Sequence, residues 1–254
     1  MKKVAIVLFV LGFLLAALPW AGAADLLPEK EMAIFRVQKA GAMVHFDRKS
    51  PGQPVIAVRF VTFPDRVTDA ALADLKSFPE LRTLSLNNTK VTDAGLANLS
   101  GLTKLQTLTL DGTKTGDAGL AHLKPLTALR ALNLHKTQVT DAGLEQLQGL
   151  TQLETLDLGG TKVTDAGLPQ LKALTKLKRL SLMGTATADA GLKDLQALSQ
   201  LQELYLARTG ITDAGLKQLS GLSQLQVLHV EKTKTTPAGL KELQKALPKL
   251  KTVR

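Results

Sequence analysis

A motif of 24 residues recurs along most of the chain, and it constrains the fold more than any other feature. Its pattern is Leu-x-x-Leu-x-Leu-x-x-Thr-x-Val-Thr-Asp-Ala-Gly-Leu-x-x-Leu-x-x-Leu. The seven regular copies begin at Leu81, Leu105, Leu129, Leu153, Leu177, Leu201 and Leu225. A degenerate copy, with Val67 and Asp69 to Leu72, precedes them. A unit this short cannot bury its apolar faces alone, so the copies must stack into a solenoid.

Each copy contains the pattern of one short strand and one short helix. Leu84 and Leu86 alternate with polar residues, which predicts a strand with one buried face. Leu96 and Leu99 are three residues apart and lie on one face of a short helix. Helices are about 10 Å wide and neighbouring strands about 4.8 Å apart, so the stack must curve with its sheet inside. The predicted fold class is α/β, an arc with parallel strands on the concave face and short helices on the convex face.

The strand pattern Leu81-x-x-Leu84-x-Leu86-x-x-Thr89 resembles that of the leucine-rich repeat family. The block Val91 to Leu96 is similar to a subclass found in F-box substrate receptors and in exported bacterial leucine-rich repeat proteins. The resemblance covers about residues 57–254 and implies an α/β horseshoe that binds other macromolecules. It also implies that the repeated threonine hydrogen-bonds turn backbone and forms a structural ladder along the stack. These threonines, which replace the usual Asn or Cys, are Thr89, Thr113, Thr137, Thr161, Thr185, Thr209 and Thr233.

An aspartate follows the ladder threonine by four residues in six of the seven copies. Thr92 and Asp93 both precede the predicted helix, and either side chain can accept from the free amides of its first turn. We assign the aspartates as helix caps: Asp93, Asp117, Asp141, Asp165, Asp189 and Asp213. Since each aspartate begins its own helix, capping rather than metal binding explains why the aspartate recurs. In the last copy Pro237 replaces the aspartate.

The residues outside the repeats predict an exported protein with capped ends. Residues 1–23 combine Lys2 and Lys3 with an apolar run and a small-residue ending at Ala23, as a signal peptide does. The alternative is an uncleaved anchor, although the run is short for a bilayer span. The predicted division is signal peptide 1–23, N-terminal cap 24–56, degenerate repeat 57–80, regular repeats 81–248 and closing strand 249–254. The expected location is the periplasm, the cell envelope or outside the cell, with no transmembrane span in the mature chain.

Phenylalanines concentrate in the predicted cap and the degenerate repeat, whereas the regular repeats are built of leucine. Five of the seven fall there: Phe35, Phe46, Phe60, Phe63 and Phe78. We expect the rings to seal the end of the stack, because large rings fill irregular packing well. A ligand pocket is the alternative.

The sequence contains no pattern typical of an enzyme. It has no cysteine, which excludes disulfides, cysteine nucleophiles and zinc–cysteine sites. His45, His122, His135 and His229 fall in different units, too far apart to share a metal or a proton. Asp111 and Asp157 are two units apart on an open face, which favours solvated acids. We therefore predict no catalytic residue, no metal and no cofactor.

The concave face is the expected binding surface, because its side chains project outward without serving the core. The first four units place small polar residues there, whereas the last three contain larger ones typical of interface hot spots. The candidate binding residues are Arg179, Met183, Tyr205, Arg208 and His229. A second candidate surface is a row of lysines after the ladder threonines, which could attract an anionic polymer or envelope surface: Lys90, Lys114, Lys162 and Lys234.

We therefore predict a monomeric, exported, non-enzymatic module that binds an unidentified protein or glycan. The net charge of +10 is not joined by stacking aromatic residues, which argues against nucleic acid. One alternative is a structural protein of the cell envelope without a discrete ligand. Another, from repeat similarity alone, is a substrate receptor of a ubiquitin ligase.

Overall fold

A computed structural model describes residues 28–253, which form one ten-stranded sheet in sequence order. The predicted signal peptide and its cleavage point lie outside the described residues. The strands are β1 Ala42–Phe46, β2 Val55–Phe60, β3 Thr83–Ser85, β4 Thr107–Thr109, β5 Ala131–Asn133, β6 Thr155–Asp157, β7 Arg179–Ser181, β8 Glu203–Tyr205, β9 Val227–His229 and β10 Lys251–Val253. β1 pairs antiparallel with β2, and every later pairing is parallel. The predicted fold class is confirmed.

The helices alternate with the strands. The α-helices are α1 Glu29–Lys39, α2 Asp93–Leu96, α3 Asp117–Leu120, α4 Asp141–Leu144, α5 Asp213–Gln218 and α6 Pro237–Ala246. The 3-10 helices are Pro64–Arg66, Asp69–Ser77, Ala97–Leu99, Ala121–Leu123, Glu145–Leu147, Asp165–Ala173 and Asp189–Ala197. Most convex segments are therefore partly or wholly 3-10, which rises more steeply and suits a short crossing between strands. Within residues 28–253 no helix is both long and apolar enough to cross a membrane.

Leucine columns fill the space between the sheet and the helices. The strand centres are stacked in register, so that Leu84 lies beside Leu108 and Leu108 beside Leu132. Their side chains are at most 1% exposed. Two core positions hold fully buried threonines, Thr115 and Thr187, and each hydroxyl lies 2.9–3.0 Å from the hydroxyl of a ladder threonine. The hydroxyls of the ladder threonines thus hydrogen-bond to the buried hydroxyls of Thr115 and Thr187, which would otherwise have no partner in the core.

The ladder threonines bond within their own repeat. The Oγ1 of Thr89 donates to the carbonyl of Leu86 at 2.7 Å, and the six later ladder threonines make the equivalent bond. The bond closes the turn that follows each strand. The expected contact with turn backbone is present, but these hydroxyls do not join one repeat to the next, as a ladder along the stack would.

The repeated aspartates make that inter-repeat connection, and their assignment as caps of their own helices is wrong. Asp117 is the first residue of α3, yet its carboxylate accepts from the amide and hydroxyl of Thr140 in the next repeat. The cap of α4 is Thr140, whose Oγ1 accepts from the amide of Ala142. Equivalent inter-repeat bonds are made by Asp69, Asp93, Asp141, Asp165, Asp189 and Asp213. We call these seven residues the staple aspartates.

The glycine of the motif makes room for the staple aspartate of the preceding repeat. A Cβ built on Gly191 would lie 2.5 Å from Asp165 Oδ1, closer than real Cβ atoms approach. The first unit departs from the motif accordingly. Ala71 replaces the glycine there, and no staple aspartate lies in a unit before it. In the last described helix Pro237 replaces the aspartate.

The N-terminal segment covers the first unit. Helix α1 packs on the 3-10 helix Asp69–Ser77, where Arg36 donates to Asp74 at 2.7 Å. Phe60 and Phe78 are buried, and Phe35 and Phe46 are half-buried. Phe63 is 60% exposed, so the expectation that all five rings seal this end is wrong for that residue.

Candidate functional site

The concave face carries three columns of outward side chains. In every strand from β3 to β9 the central leucine points inward, so the residues on both sides of it point outward. The first column is Thr83, Thr107, Ala131, Thr155, Arg179, Glu203 and Val227. The second is Ser85, Thr109, Asn133, Asp157, Ser181, Tyr205 and His229. The third, just beyond the strands, is Asn87, Asp111, His135, Gly159, Met183, Ala207 and Glu231.

A concave groove of about 440 Å³ crosses these columns between β4 and β8. Small polar residues line its N-terminal part, and larger side chains line its C-terminal part. Its lining is Thr109, Ala131, Leu132, Asn133, Thr155, Leu156, Asp157, Arg179, Ser181, Met183 and Tyr205. The groove therefore offers hydrogen-bonding groups at one end and a methionine, a tyrosine and an arginine at the other.

Glu203 holds the C-terminal end of the concave groove together. The Arg179 guanidinium donates two bonds to its carboxylate, at 2.7 and 2.8 Å, and the Tyr205 hydroxyl donates a third at 2.7 Å. A bidentate arginine–carboxylate pair fixes both distance and orientation. The bonds from Arg179 hold the pKa of Glu203 below its usual range, and the bond to Glu203 raises the pKa of Tyr205. Both groups therefore keep their neutral-pH charge states.

Tyr205 is also fixed by an aromatic neighbour on the next strand. Its ring stacks on the imidazole of His229 with centroids 4.5 Å apart and planes 13° from parallel. The stack follows from the register, which places the two residues side by side. His229 Nδ1 in turn lies 3.1 Å from Glu231 Oε1. Arg179, Glu203, Tyr205 and His229 thus form one ordered polar and aromatic cluster across β7, β8 and β9, and Glu231 lies beside it.

A histidine lies at the carboxyl end of β5. His135 Nδ1 is 3.9 Å from Asp157 Oδ1, beyond hydrogen-bond range, and makes no hydrogen bond although it is buried. A side chain at Gly159 would place a Cβ 2.6 Å from that nitrogen, so the glycine leaves space for the ring. No three His, Asp or Glu residues within residues 28–253 are grouped to hold a metal ion.

The structure brings together four of the five candidate binding residues. Arg179, Met183 and Tyr205 line the concave groove, and His229 stacks on Tyr205. Arg208 is exposed at the turn after β8 with φ 58° and does not line the groove. Sequence reasoning missed Glu203, although its position 24 residues after Arg179 was a signal for their contact.

Comparison with known proteins places this geometry in context. The family model described as "leucine-rich repeat region" matches residues 95–254. Among solved structures, internalin C2 from Listeria monocytogenes is 24% identical with a TM-score of 0.63, covering 86% of this chain and 91% of its own. A TDR receptor is 18% identical with a TM-score of 0.52, covering 71% of this chain and 31% of its own. No curated protein matches the sequence. The two structures share the fold with this chain.

Proposed function

This chain belongs to the leucine-rich repeat family, and from that premise we propose that it is an exported, non-enzymatic module whose concave groove binds a protein ligand. The proposal rests on one observation above all. The C-terminal half of the concave face holds an ordered cluster of Arg179, Glu203, Tyr205 and His229 that serves no purpose in the core.

The chemistry of the concave groove favours a protein ligand. Tyrosine, methionine and arginine are enriched in the centres of protein interfaces. Tyr205 is the only tyrosine of the chain, and Met183 is 37% exposed on a mostly polar face. Asn133 and Ser181 add hydrogen-bonding groups beside them. One end of the groove can therefore bury an apolar side chain while the other satisfies peptide groups.

The cluster is ordered before any ligand arrives. Glu203 accepts three hydrogen bonds, and Tyr205 is fixed both by its hydroxyl and by its stacked ring. Side chains that are already fixed lose little conformational entropy on binding. This order supports a role in recognition rather than in solubility alone.

The absence of catalysis is part of the proposal. The acid nearest to His135 is Asp157, at 3.9 Å, and no hydroxyl nucleophile is hydrogen-bonded to this histidine. The acids of the cluster are neutralised by Arg179 or lie beside His229. An open concave surface also admits water freely, unlike the closed sites in which electrostatic catalysis is strong.

Export is supported by the sequence of residues 1–23, with its charged start, apolar run and small-residue ending. The proposal has the protein acting as a monomer, because helix α1 and the β1–β2 hairpin cover the N-terminal end of the stack.

The test is capture of a ligand from a cell-envelope extract by the immobilised protein, with identification by mass spectrometry. The test variant is Tyr205→Ala/His229→Ala, and the matched control is Thr83→Ala/Ser85→Ala on the same face of β3, outside the lining of the concave groove. Circular dichroism and urea midpoints verify that both variants fold. We expect a species that the wild type and the control retain and the test variant loses.

Other outcomes separate the alternatives. Protease treatment of the extract abolishes capture of a protein, whereas glycosidase treatment abolishes capture of a glycan. Equal capture by all three proteins places the site elsewhere. Capture of nothing specific supports the structural envelope protein.

A further inference from the structure

Cations along the two edges of the sheet differ in their partners. At the edge where strands begin, Lys104 pairs with Glu80, and Arg130 and Lys178 both pair with Glu154 at 2.8 Å. These pairs run along the stack from repeat to repeat. Three cations at this edge are therefore paired with two carboxylates of the protein itself, and Lys176 donates to the amide oxygen of Gln152.

At the opposite edge, where the strands end, two columns of cations make no ion pair with a carboxylate within residues 28–253. We call this the turn edge. One column there holds Arg66, Lys90, Lys114, Lys162 and Lys234, all exposed. A second column, at the turn positions with φ between 51° and 58°, holds Lys136, Arg208 and Lys232. The staple aspartates that follow are engaged by the amides of the next repeat, so they do not neutralise these side chains.

Backbone hydrogen bonds fix the spacing of the turn edge. Lys90 donates its amide to Val67 at 2.8 Å, Lys114 to Val91 at 3.1 Å and Lys162 to Val139 at 2.9 Å. Successive positions of the column are thus held one strand spacing apart, about 4.8 Å. Arg66, Lys90 and Lys114 occupy three successive positions, whereas uncharged residues lie between Lys114 and Lys162 and between Lys162 and Lys234. Like charges at the three successive positions repel each other, so the row does not stabilise the fold. An external anionic partner would remove that repulsion.

Exposed apolar side chains lie at the N-terminal end of the turn edge. Phe63 is 60% exposed and lies beneath the guanidinium of Arg66, which is 4.8 Å from its ring centroid. Met43 and Val61 nearby are 53% and 51% exposed. Phe63 adopts φ 51° and ψ 52°, a conformation costly for a bulky residue. Backbone preference does not explain a phenylalanine at this position, and the contact with the exposed Arg66 leaves most of its side chain open to solvent.

We propose that the turn edge binds an anionic phospholipid surface, with the cations facing the headgroups and Phe63 entering the interface. A row of basic residues beside exposed apolar side chains is the combination that anionic membranes attract. A soluble polyanion would use the cations but leave Phe63, Val61 and Met43 unexplained. Nucleic acid would require more stacking rings than this edge provides. The concave groove would remain open to its own ligand.

The experiment measures binding of the full chain to vesicles of phosphatidylcholine alone and of phosphatidylcholine with phosphatidylglycerol. The readout is the ratio of the two affinities, in which any contribution of the apolar run in residues 4–18 cancels. The test variant carries Lys90→Gln, Lys114→Gln, Lys162→Gln and Lys234→Gln. The control carries Lys124→Gln, Lys193→Gln, Lys217→Gln and Lys241→Gln, which remove equal charge from the helical side. A third variant is Phe63→Asn, which suits the left-handed turn.

We expect the wild type and the control to prefer anionic vesicles. The test variant should lose that preference by on the order of several hundredfold, since each of the four lysines changes affinity about fivefold. Raising the salt from about 0.1 to 1 M should also weaken it, because the Debye length falls from about 10 to 3 Å. Phe63→Asn should weaken binding without changing the salt dependence.

Three results would overturn the proposal. A wild type without preference for anionic vesicles shows that the turn edge does not bind them. Equal losses in test and control variants show that total charge, not this edge, is responsible. Competition by soluble dextran sulfate together with unchanged binding of Phe63→Asn identifies a polyanion site instead of a membrane site.

Discussion

Asp117 and Thr140, one repeat apart, are joined by two hydrogen bonds. Asp117 Oδ1 accepts from the Thr140 amide at 2.8 Å, and Oδ2 accepts from its hydroxyl at 2.6 Å. Bonds to a charged acceptor are shorter and stronger than neutral ones. Because the same hydroxyl also caps α4, one aspartate connects two repeats and orders the start of the next helix. The aspartate and threonine of the motif thus hold neighbouring repeats together.

The staple aspartates differ in the number of bonds they make, which gives a graded prediction. Asp117→Ala should lower the free energy of unfolding by about 1.5–3 kcal/mol, the range for hydrogen bonds to charged groups. Asp165→Ala should lower the free energy of unfolding by less. The Asp165 carboxylate accepts only from the amide of Ala188, because alanine has no hydroxyl to donate a second bond. Urea denaturation of both variants measures the difference. Equal losses would show that the threonine hydroxyl contributes nothing.

The motif glycine gives a second prediction with an internal control. Gly143→Ala should destabilise by about 1–3 kcal/mol, because its Cβ would overlap Asp117 Oδ1. Gly149→Ala meets no atom within 4 Å and should be neutral or slightly stabilising. The double variant Gly143→Ala/Asp117→Ala should lose less than the sum of the single losses, because the overlap is gone. Additive losses in denaturation experiments would contradict this account.

Much of the fold could be predicted from the period, but the role of the aspartate could not. The sequence places Asp117 directly before a helix, where capping is the local interpretation, while its true partner lies 23 residues away. A deviation in the first unit contained the missing information. Ala71 replaces the motif glycine where no preceding staple aspartate needs the space, as an inter-repeat contact predicts.

The candidate site was predicted less completely, for a geometric reason. The alternation around each central leucine leaves two outward residues per strand, and from the first column the expected binding residues include only Arg179. Glu203 belongs to the same column and makes the bonds that fix Arg179 and Tyr205. Arg208 was included by its residue type, but its turn directs it away from the concave groove's lining.

The titration of Tyr205 tests the cluster directly, because it is the only tyrosine in the chain. The hydrogen bond to Glu203 raises its pKa above the usual value of about 10. A group whose pKa is raised by folding stabilises the fold below its unfolded pKa, and this contribution is lost as pH rises through the folded pKa. Glu203→Gln should bring the tyrosine pKa back toward 10. The absorbance of tyrosinate follows both titrations, and an unchanged pKa in the variant would contradict the assigned bond.

The contribution of Glu203 to stability should change at acidic pH, whereas that of Tyr205 changes at alkaline pH. The bonds from Arg179 lower its pKa, so its contribution to stability is present above the unfolded pKa of a glutamate and disappears as pH falls through the lowered value. Arg179→Ala should therefore move the loss of the cluster to higher pH. The pH at which the cluster is lost is measured by nuclear magnetic resonance of the His229 and Tyr205 rings between neutral and acidic pH. Identical profiles for wild type and variant would show that the pair does not set the pKa.

Cleavage of the signal peptide has a simple optical test. Trp20 is the only tryptophan of the chain and lies in the segment expected to be removed. The protein recovered after export should show tyrosine emission without tryptophan emission, and its intact mass should correspond to residues 24–254. Retained tryptophan emission with a full-length mass would instead indicate an uncleaved anchor.

The central claim, recognition through the C-terminal half of the concave face, is tested most directly by calorimetry on the captured ligand. Affinities are compared for the wild type, for Tyr205→Ala and for the control Ser85→Ala on the same face. We expect Tyr205→Ala to weaken binding by about 2 kcal/mol or more, roughly thirtyfold, as hot-spot residues do, and the control to bind like the wild type. Equal affinities for all three proteins would contradict the claim.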